Sequence, residues 1–321
     1  MHIPIAQPSL GKEENEAVLA VLASGMIAQG PVTAAFEDEF AAYCGVPHAV
    51  AVSNGTTALH AALLAAGVGP GDEVVVPAFT FFATASSVSM CGAVPVFADV
   101  DAVTATIDPA DILAKVTPKT KAVIGVHLYG QPCDAGAIRD ICNDKGLAFI
   151  EDAAQAHGAT YHGKKTGSLG DLACFSFYAT KNLATGEGGM VTTASDEYDA
   201  RLRRIINHGQ SEKYLHAELG YNYRMTDINA AIGRVQLGKL DGFNRRRQEN
   251  AAYYRTHITA PGLVLPSVAP GRTHVWHQYS LRLTEKFPLS RDDLMTHLRE
   301  RGVGCAVHYP VALSRQPYYA G

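Results

Sequence analysis

The sequence predicts an α/β fold on a largely parallel sheet, and three observations lead there. Between about residues 45 and 195, short apolar runs alternate with segments of helical apolar spacing. Those helical segments close on glycine, a common helix stop. The chain has 321 residues, 47% apolar and 18% charged, so it can bury a large core and is not disordered.

Seven strands are expected in order: AVAV, EVVVP (73–77), VPVFADV (94–100), AVIGVHLYG (122–130), LAFIED (147–152), ACFSFY (173–178) and GMVTT (189–193). Between them TTALHAALLAAG, TFFATASSVSMCG and CDAGAIRDICNDKG read as helices. Beyond about residue 197 long helical stretches follow, YDARLRRIINHG and then DINAAIGRVQLGKLDGFNRRRQENAAYYRTHI. THVWHQYSLRL reads as a loop entering a strand, RDDLMTHLRERG as a helix and GCAVHYP as strand-like. This gives a large domain over 1–240 and a smaller α+β domain over 241–321, the latter expected to be incomplete.

Charge and composition narrow the function. The net charge of −4 and the lack of a sustained basic run point away from nucleic acid and anionic membranes. No basic segment followed by an apolar core opens the chain, and no apolar run approaches a membrane span. Cysteines 44, 91, 133, 142, 174 and 305 form no CxxC pair, which fits free thiols in a reducing cytoplasm.

In open α/β sheets ligands gather at the carboxyl ends of the strands. Three polar groups fall there. In SNGTTALHAALLAAG, Gly55, Thr56 and Thr57 start a helix and can offer N–H groups and hydroxyls to an anion, or simply cap it. In LAFIEDAAQAHGA, Glu151 and Asp152 point to opposite sides, so only one faces a site; Gln155 and His157 follow on the next turn. In FSFYATKNLATGEGGMV, Ser176 and Lys181 lie beyond a strand, before Gly186, Gly188 and Gly189. A lysine held there is either an oddity or a nucleophilic amine for a carbonyl. A lysine, a strand-end acid and an anion cradle together match the needs of pyridoxal phosphate, with Phe81 in PAFTFFATAS available to stack on the ring.

These residues carry a resemblance. The motifs IPIAQPSLG, SGMIAQGP, VSNGTTALHAAL, GPGDEVVVPAFTFFATAS, VHLYGQPCD, IEDAAQAHGA, FSFYATKN, GEGGMV and LGYNYRMTDINAAIGRVQL resemble the DegT/StrS family of nucleotide-sugar aminotransferases, and they span nearly the whole chain. The resemblance implies the aspartate-aminotransferase fold (fold type I) and amino transfer, with glutamate as donor, to the 3- or 4-keto position of a nucleotide-linked sugar. It implies that Lys181 binds the cofactor covalently and that Asp152, rather than Glu151, pairs with the pyridine nitrogen. Gln155 then meets the ring hydroxyl, Gly55, Thr56 and Ser176 cup the phosphate, and Phe81 stacks. It also implies a homodimer with shared sites, in which Asn222 reaches the neighbour's phosphate with Arg224 nearby. His157, Arg224 and Tyr309 are expected near the substrate. Lys181 is expected to have its basicity lowered by burial and by neighbouring positive charge.

Relatives that dehydrate their substrate carry histidine in place of the lysine, so Lys181 favours transamination over the alternatives, a dehydratase or lyase and a non-catalytic cofactor-binding regulator. The chain departs from the family in YPVALSRQPYY, where Ala312 and Ser314 replace a proline and a histidine beside the sugar pocket. Other signals carry less. GATYHGKK falls one residue short of a phosphate loop, because Lys165 stands where Ser or Thr should be, and GATYHG reads as pairing in a hairpin with the following TGSLGD. HVWH (274–277) lacks acidic or cysteine partners for a metal, and RRRQ (245–248) reads as a solvated helix face.

Overall fold

The structure, a computed structural model, describes residues 2–320. Met1 and Gly321, the outer limits of the two expected domains, lie outside the described residues. The expected strands form one seven-stranded sheet of β1 (His48–Val52), β2 (Glu73–Pro77), β3 (Val94–Ala98), β4 (Thr120–Val126), β5 (Ala148–Asp152), β6 (Leu172–Ser176) and β7 (Gly189–Thr193). Their order is β1-β7-β6-β5-β4-β2-β3. Strands β6, β5, β4, β2 and β3 pair in parallel, and β7 runs antiparallel to both of its neighbours.

Side chains alternate across a strand, so residue parity decides which helices each one meets. Even-numbered Val50, Val74, Ala122, Ile150 and Cys174 pack into one core. That core also holds residues of α3 (Gly55–Ala65), α4 (Ala83–Met90) and α7 (Asp196–Ile205). Odd-numbered Val75, Val123 and Phe149 meet α5 (Pro109–Lys115) and α6 (Ala135–Lys145) on the opposite face. Odd-numbered Ala49, Ala173 and Phe175 meet α2 (Pro31–Cys44) and α8 (Asp227–His257). Both faces are therefore apolar, which is why the strands read as near-continuous hydrophobic runs.

Several expectations need correction. AVIGVHLYG is strand only to Val126; Leu128–Gly130 turns into a 3-10 segment in which Tyr129 has φ +60°. THVWHQYSLRL contributes just Arg282–Leu283, paired with Leu263–Val264, and GCAVHYP forms no named strand. Those residues lack a continuous neighbouring strand, and a ladder needs a partner to persist. Arg247 of RRRQ is turned inward, donating to the carbonyls of Trp276 at 3.0 Å and His277 at 3.2 Å, whereas Arg245 and Arg246 are exposed. A hairpin does start in GATYHG, but its second arm is Lys164–Lys165 rather than the expected TGSLGD: Thr160–Tyr161 pairs with Lys164–Lys165 across His162 and Gly163, both at positive φ. Helix α8 runs unbroken through residue 240, where the domain boundary is expected.

Helix α8 also organises the entrance of α2. The N-cap of α2 is Gly30, which has no side chain to cap with. Asp227, fully buried at the start of α8, does so instead. Its Oδ1 accepts from the N–H of Gly30 (2.8 Å) and of Thr33 (2.9 Å) and from the Thr33 hydroxyl (2.6 Å), while Oδ2 accepts from Val32 N–H (3.2 Å). A carboxylate facing a helix N-terminus is favoured by the helix dipole as well. Asp227→Ala is expected to lower stability by about 3 kcal/mol, because buried donors lose a charged acceptor. Denaturant unfolding at pH 7 checks this, with Asp227→Asn falling between the two.

Candidate active site

Strand β5 ends in two buried carboxylates on opposite faces of the sheet. Glu151, fully buried, is spent on structure. Its Oε1 accepts from the N–H of Leu169 and Gly170, both at 2.7 Å, and its Oε2 from Gly167 N–H at 3.0 Å. The fourth donor is the His127 ring, with Nε2 at 2.8 Å from Oε2. The Cys133 N–H occupies His127 Nδ1 at 3.1 Å, so the ring proton sits on Nε2 and is donated to Glu151. Every donor around Glu151 is a neighbouring loop or strand end.

Asp152 faces the other way, into the core with α3 and α4. Its Oδ2 accepts from the Thr84 hydroxyl at 2.8 Å and its Oδ1 from Ala154 N–H at 3.3 Å. Burial pushes its pKa up, opposed by the Thr84 hydroxyl, by the Ala154 amide and by the Lys181 charge. The lysine loop leaves β6 at Ser176 and returns at Gly189. Phe177 N–H donates to Gly188 carbonyl (2.8 Å) and Thr185 N–H to Phe177 carbonyl (2.8 Å). Gly188 is required there, since a Cβ would lie 2.4 Å from Thr185 Oγ1. The next residue after Lys181, buried Asn182, anchors the loop by donating to Asn244 Oδ1 and to Val275 carbonyl, both at 3.0 Å. Burial lowers the Lys181 pKa and the Asp152 carboxylate opposes that shift. The neighbouring charge acting on Lys181 is thus negative, a correction to the expectation of positive charge.

The start of α3 abuts the end of β6. Gly55 must be glycine, because a Cβ would sit 2.6 Å from Ser176 Cβ. Asn54 caps the helix through Thr57 N–H at 2.9 Å. Helix geometry leaves the N–H groups of Gly55 and Thr56 without intrahelical acceptors. Gln155 is clamped as well: its Oε1 accepts from Tyr129 N–H (2.6 Å) and its Nε2 donates to Tyr309 Oη (2.9 Å). The Tyr309 ring lies 6.2 Å from Phe81, which is itself 56% exposed.

At the strand ends Gly55 thus meets Ser176, Gln155 meets Tyr309 and Tyr309 meets Phe81, while Asp152 and Lys181 act on each other electrostatically. His157 is fully buried rather than open to the cleft. Its Nε2 lies 3.0 Å from Ser176 carbonyl and its ring packs against Phe175 and Phe177, so it supports the β6 end. Asn222 is exposed and bridges to Asn207, and Arg224 Nη1 donates to Asn207 Oδ1. The segment runs past the β1 end, where Ser53 N–H donates to Tyr223 carbonyl at 2.7 Å, but within one chain Asn222 stands apart from the cluster. Residues missed in the sequence are Thr84, Tyr129, Asn182 and Arg247. None of the four carries a local signature that would single it out. Among the described residues no group of His, Cys, Asp or Glu is placed to hold a metal, and no helix is long and apolar enough to cross a membrane.

The DegT/DnrJ/EryC1/StrS aminotransferase family profile matches residues 8–321. The chain belongs to that family. It is 43% identical to the dTDP-3-amino-3,4,6-trideoxy-alpha-D-glucose transaminase of Streptomyces venezuelae, covering 100% of this chain and 84% of that protein. It is 44% identical to the GDP-perosamine synthase of Caulobacter vibrioides, covering 94% and 82%. The structure of the putative sugar aminotransferase Spr1654 from Streptococcus pneumoniae in its PMP form superposes with a TM-score of 0.95 at 30% identity, covering 100% and 87%. Family, sheet topology and α/β class thus agree with the reading of the motifs.

Burial sets the charge state of His157: its pKa falls to about 3, with the Lys181 charge adding to the effect. The folded ring stays neutral while the unfolded one protonates near 6.5. This contribution to stability is complete above about pH 6.5, is lost progressively as pH falls, and levels off below about 3. Replacing His157 with Gln should remove a slope of about 1.4 kcal/mol per pH unit across that window. Unfolding free energies of both proteins between pH 6.5 and 4 check it.

Proposed function

We propose that this aminotransferase-family chain uses pyridoxal phosphate to transfer an amino group, with glutamate as donor, to the 3- or 4-keto position of a nucleotide-linked sugar. The observation that carries the reading is one half-buried lysine, Lys181, within electrostatic reach of the buried Asp152 carboxylate, beside the N-terminus of α3. The names of the relatives, a dTDP-sugar transaminase and a GDP-perosamine synthase, support the sugar-nucleotide class. The PMP form of the Streptococcus relative supports the cofactor.

The residues fit that cofactor. The N–H groups of Gly55 and Thr56 and the Ser176 hydroxyl suit a phosphate, and the close approach at Gly55 keeps them together. Exposed Phe81 suits the ring face, and Gln155, its amide already oriented by Tyr129 and Tyr309, suits the ring hydroxyl. When bound, pyridoxal phosphate supplies an electron sink that makes the α-proton of an amino acid removable. Ionised Asp152 favours a protonated ring nitrogen, which strengthens that sink. Lys181 Nζ, its basicity lowered by desolvation, would take the proton from the α-carbon of the amino donor and deliver it to the cofactor's aldehyde-derived carbon on the other side of the nitrogen. His157 acts indirectly, holding the β6 end under Ser176.

A homodimer with shared sites, in the cytoplasm, belongs to the same reading. Asn222 is exposed, and the ribbon just before it carries Tyr214 (81% exposed) and Leu219 (79% exposed), apolar groups suited to a second copy. The division into a large cofactor domain (1–240) and a small domain (241–321), joined through α8, is part of the proposal.

The test is the absorbance spectrum of the chain with pyridoxal phosphate. A yellow band that glutamate bleaches and 2-oxoglutarate restores supports amino transfer; a band unmoved by any amino donor refutes it. Lys181→Ala should lower the transfer rate by at least about 10³-fold, since it removes both the covalent anchor and the proton carrier. Steady-state turnover with a dTDP- or GDP-linked keto sugar measures this.

A further inference from the structure

Thr84 has no role in the reading above, yet it is the side chain that touches Asp152 most directly. It is fully buried in the first turn of α4, three residues after Phe81. Phe81 lies just before the N-cap Phe82, and the Thr84 N–H donates to its carbonyl at 3.2 Å, so one turn carries both the exposed ring and the buried hydroxyl. The hydroxyl stands 2.8 Å from Asp152 Oδ2 and 3.3 Å from the Thr80 hydroxyl.

We propose that Thr84 is a positioning residue for Asp152: its hydroxyl donates to Oδ2, holds the carboxylate ionised, and leaves Oδ1 as the oxygen that meets a protonated ring nitrogen. The inference rests on the pyridoxal-phosphate reading for the last of these clauses only. Proton arithmetic supports the direction. A hydroxyl has one proton and two lone pairs, so a Thr84 that donates to Asp152 must accept from Thr80. The two threonines then form a short chain polarised toward the acid, which strengthens each link. Oδ1 has only the Ala154 N–H, at 3.3 Å, and so keeps acceptor capacity.

A carboxylate buried this deeply prefers to be neutral, and something must oppose that preference. Lys181, His127, Cys174 and Tyr309 all face it. Lys181 favours the charged form, whereas the His127 ring, its Nδ1 occupied by the Cys133 N–H, is neutral. Burial raises the pKa of both Cys174 and Tyr309, so these two are neutral at pH 7 and contribute little charge. Among the groups that lower the Asp152 pKa, the Thr84 hydroxyl ranks first. A valine at the same place would keep the volume and lose this opposition. Sequence carries no mark of the arrangement, since threonine at a helix start reads as an ordinary polar residue.

The experiment compares Thr84→Val and Thr84→Ser with the unaltered full chain. The first readout is carbon-13 NMR titration of the Asp152 carboxyl without added cofactor, its signal assigned by loss in Asp152→Asn. The midpoint should rise by about one pH unit in Thr84→Val, the effect of one charge-assisted hydrogen bond, and return in Thr84→Ser. The second readout uses the chain loaded with pyridoxal phosphate. The rate of amino transfer from glutamate should fall about tenfold in Thr84→Val with KM for glutamate changed less than twofold, and serine should rescue it. If Thr84→Val does not fold, Thr84→Ala makes the same comparison. An unmoved carboxyl midpoint, or serine behaving as valine does, overturns the role of Thr84. A shifted midpoint in a chain that takes up no pyridoxal phosphate overturns the enzyme reading and leaves the hydrogen bond standing.

Discussion

Two carboxylates buried side by side at the end of one strand have to be satisfied in different ways, and the site follows from how that is done. Strand alternation sends Glu151 and Asp152 to opposite faces of the sheet. Glu151 takes three backbone N–H groups and the His127 ring, a set that compensates a full charge without any ligand. Asp152 takes one hydroxyl and one long amide contact. The first carboxylate is saturated and the second is not. A buried acid left partly unsatisfied is an expensive feature to keep, and it is the kind that belongs to function.

The rest of the site is arranged around that acid by close backbone approach. Gly55 lets the start of α3 come against Ser176, and Gly189 lets the start of β7 pass the Asn54 carbonyl, where a Cβ would lie 2.5 Å away. These contacts fix the mouth between β1, β6 and α3. Lys181 is held in the loop that spans β6 and β7, and Asn182 ties that loop to α8 through Asn244. Asn244 in turn donates to the carbonyl of His157 at 2.9 Å, and His157 supports Ser176. The lysine and the anion cradle are therefore braced by one continuous polar network that never passes through solvent. Tyr129, at φ +60°, adds a strained backbone position whose N–H orients Gln155.

The sheet, its helices and the strand-end residues were legible because each has a local signature. Apolar runs of β-strand length sit between helical patterns closed by glycine, and glycine beside Ser176 marks a forced approach. The choice between Glu151 and Asp152 was not local. Alternation says that they diverge, but only the tertiary partners say which face is saturated; the motif resemblance was needed first. The short strands after residue 257 were over-read for a related reason. Their apolar and β-branched residues suit a ladder, but whether a neighbour exists is a property of the whole domain. Thr84 and Arg247 stayed hidden because nothing in a threonine at a helix start, or in the third arginine of a run, marks a contact with a distant chain segment.

The C-terminal segment forms an outer wall beside the strand ends without touching the buried acids. Tyr309 donates nothing to Asp152; it meets Gln155 and lies over Phe79 and Phe81. Farther on, Leu313 N–H donates to Ala78 carbonyl at 2.8 Å, and Tyr319 packs its ring on Phe82 and Phe97 while its hydroxyl meets Ser89 at 3.0 Å. These anchors are apolar stacking and single hydrogen bonds to the outer surface of β3 and α4. Ala312 and Ser314 sit between them, immediately flanking buried Leu313. Exchanging those two side chains leaves the Leu313 anchor and the aromatic contacts intact, so the wall can change its polar lining without disturbing Thr84 or Asp152 behind it. A substitution at the strand ends strands a buried charge, whereas one at Ala312 or Ser314 falls on a segment held from its two sides.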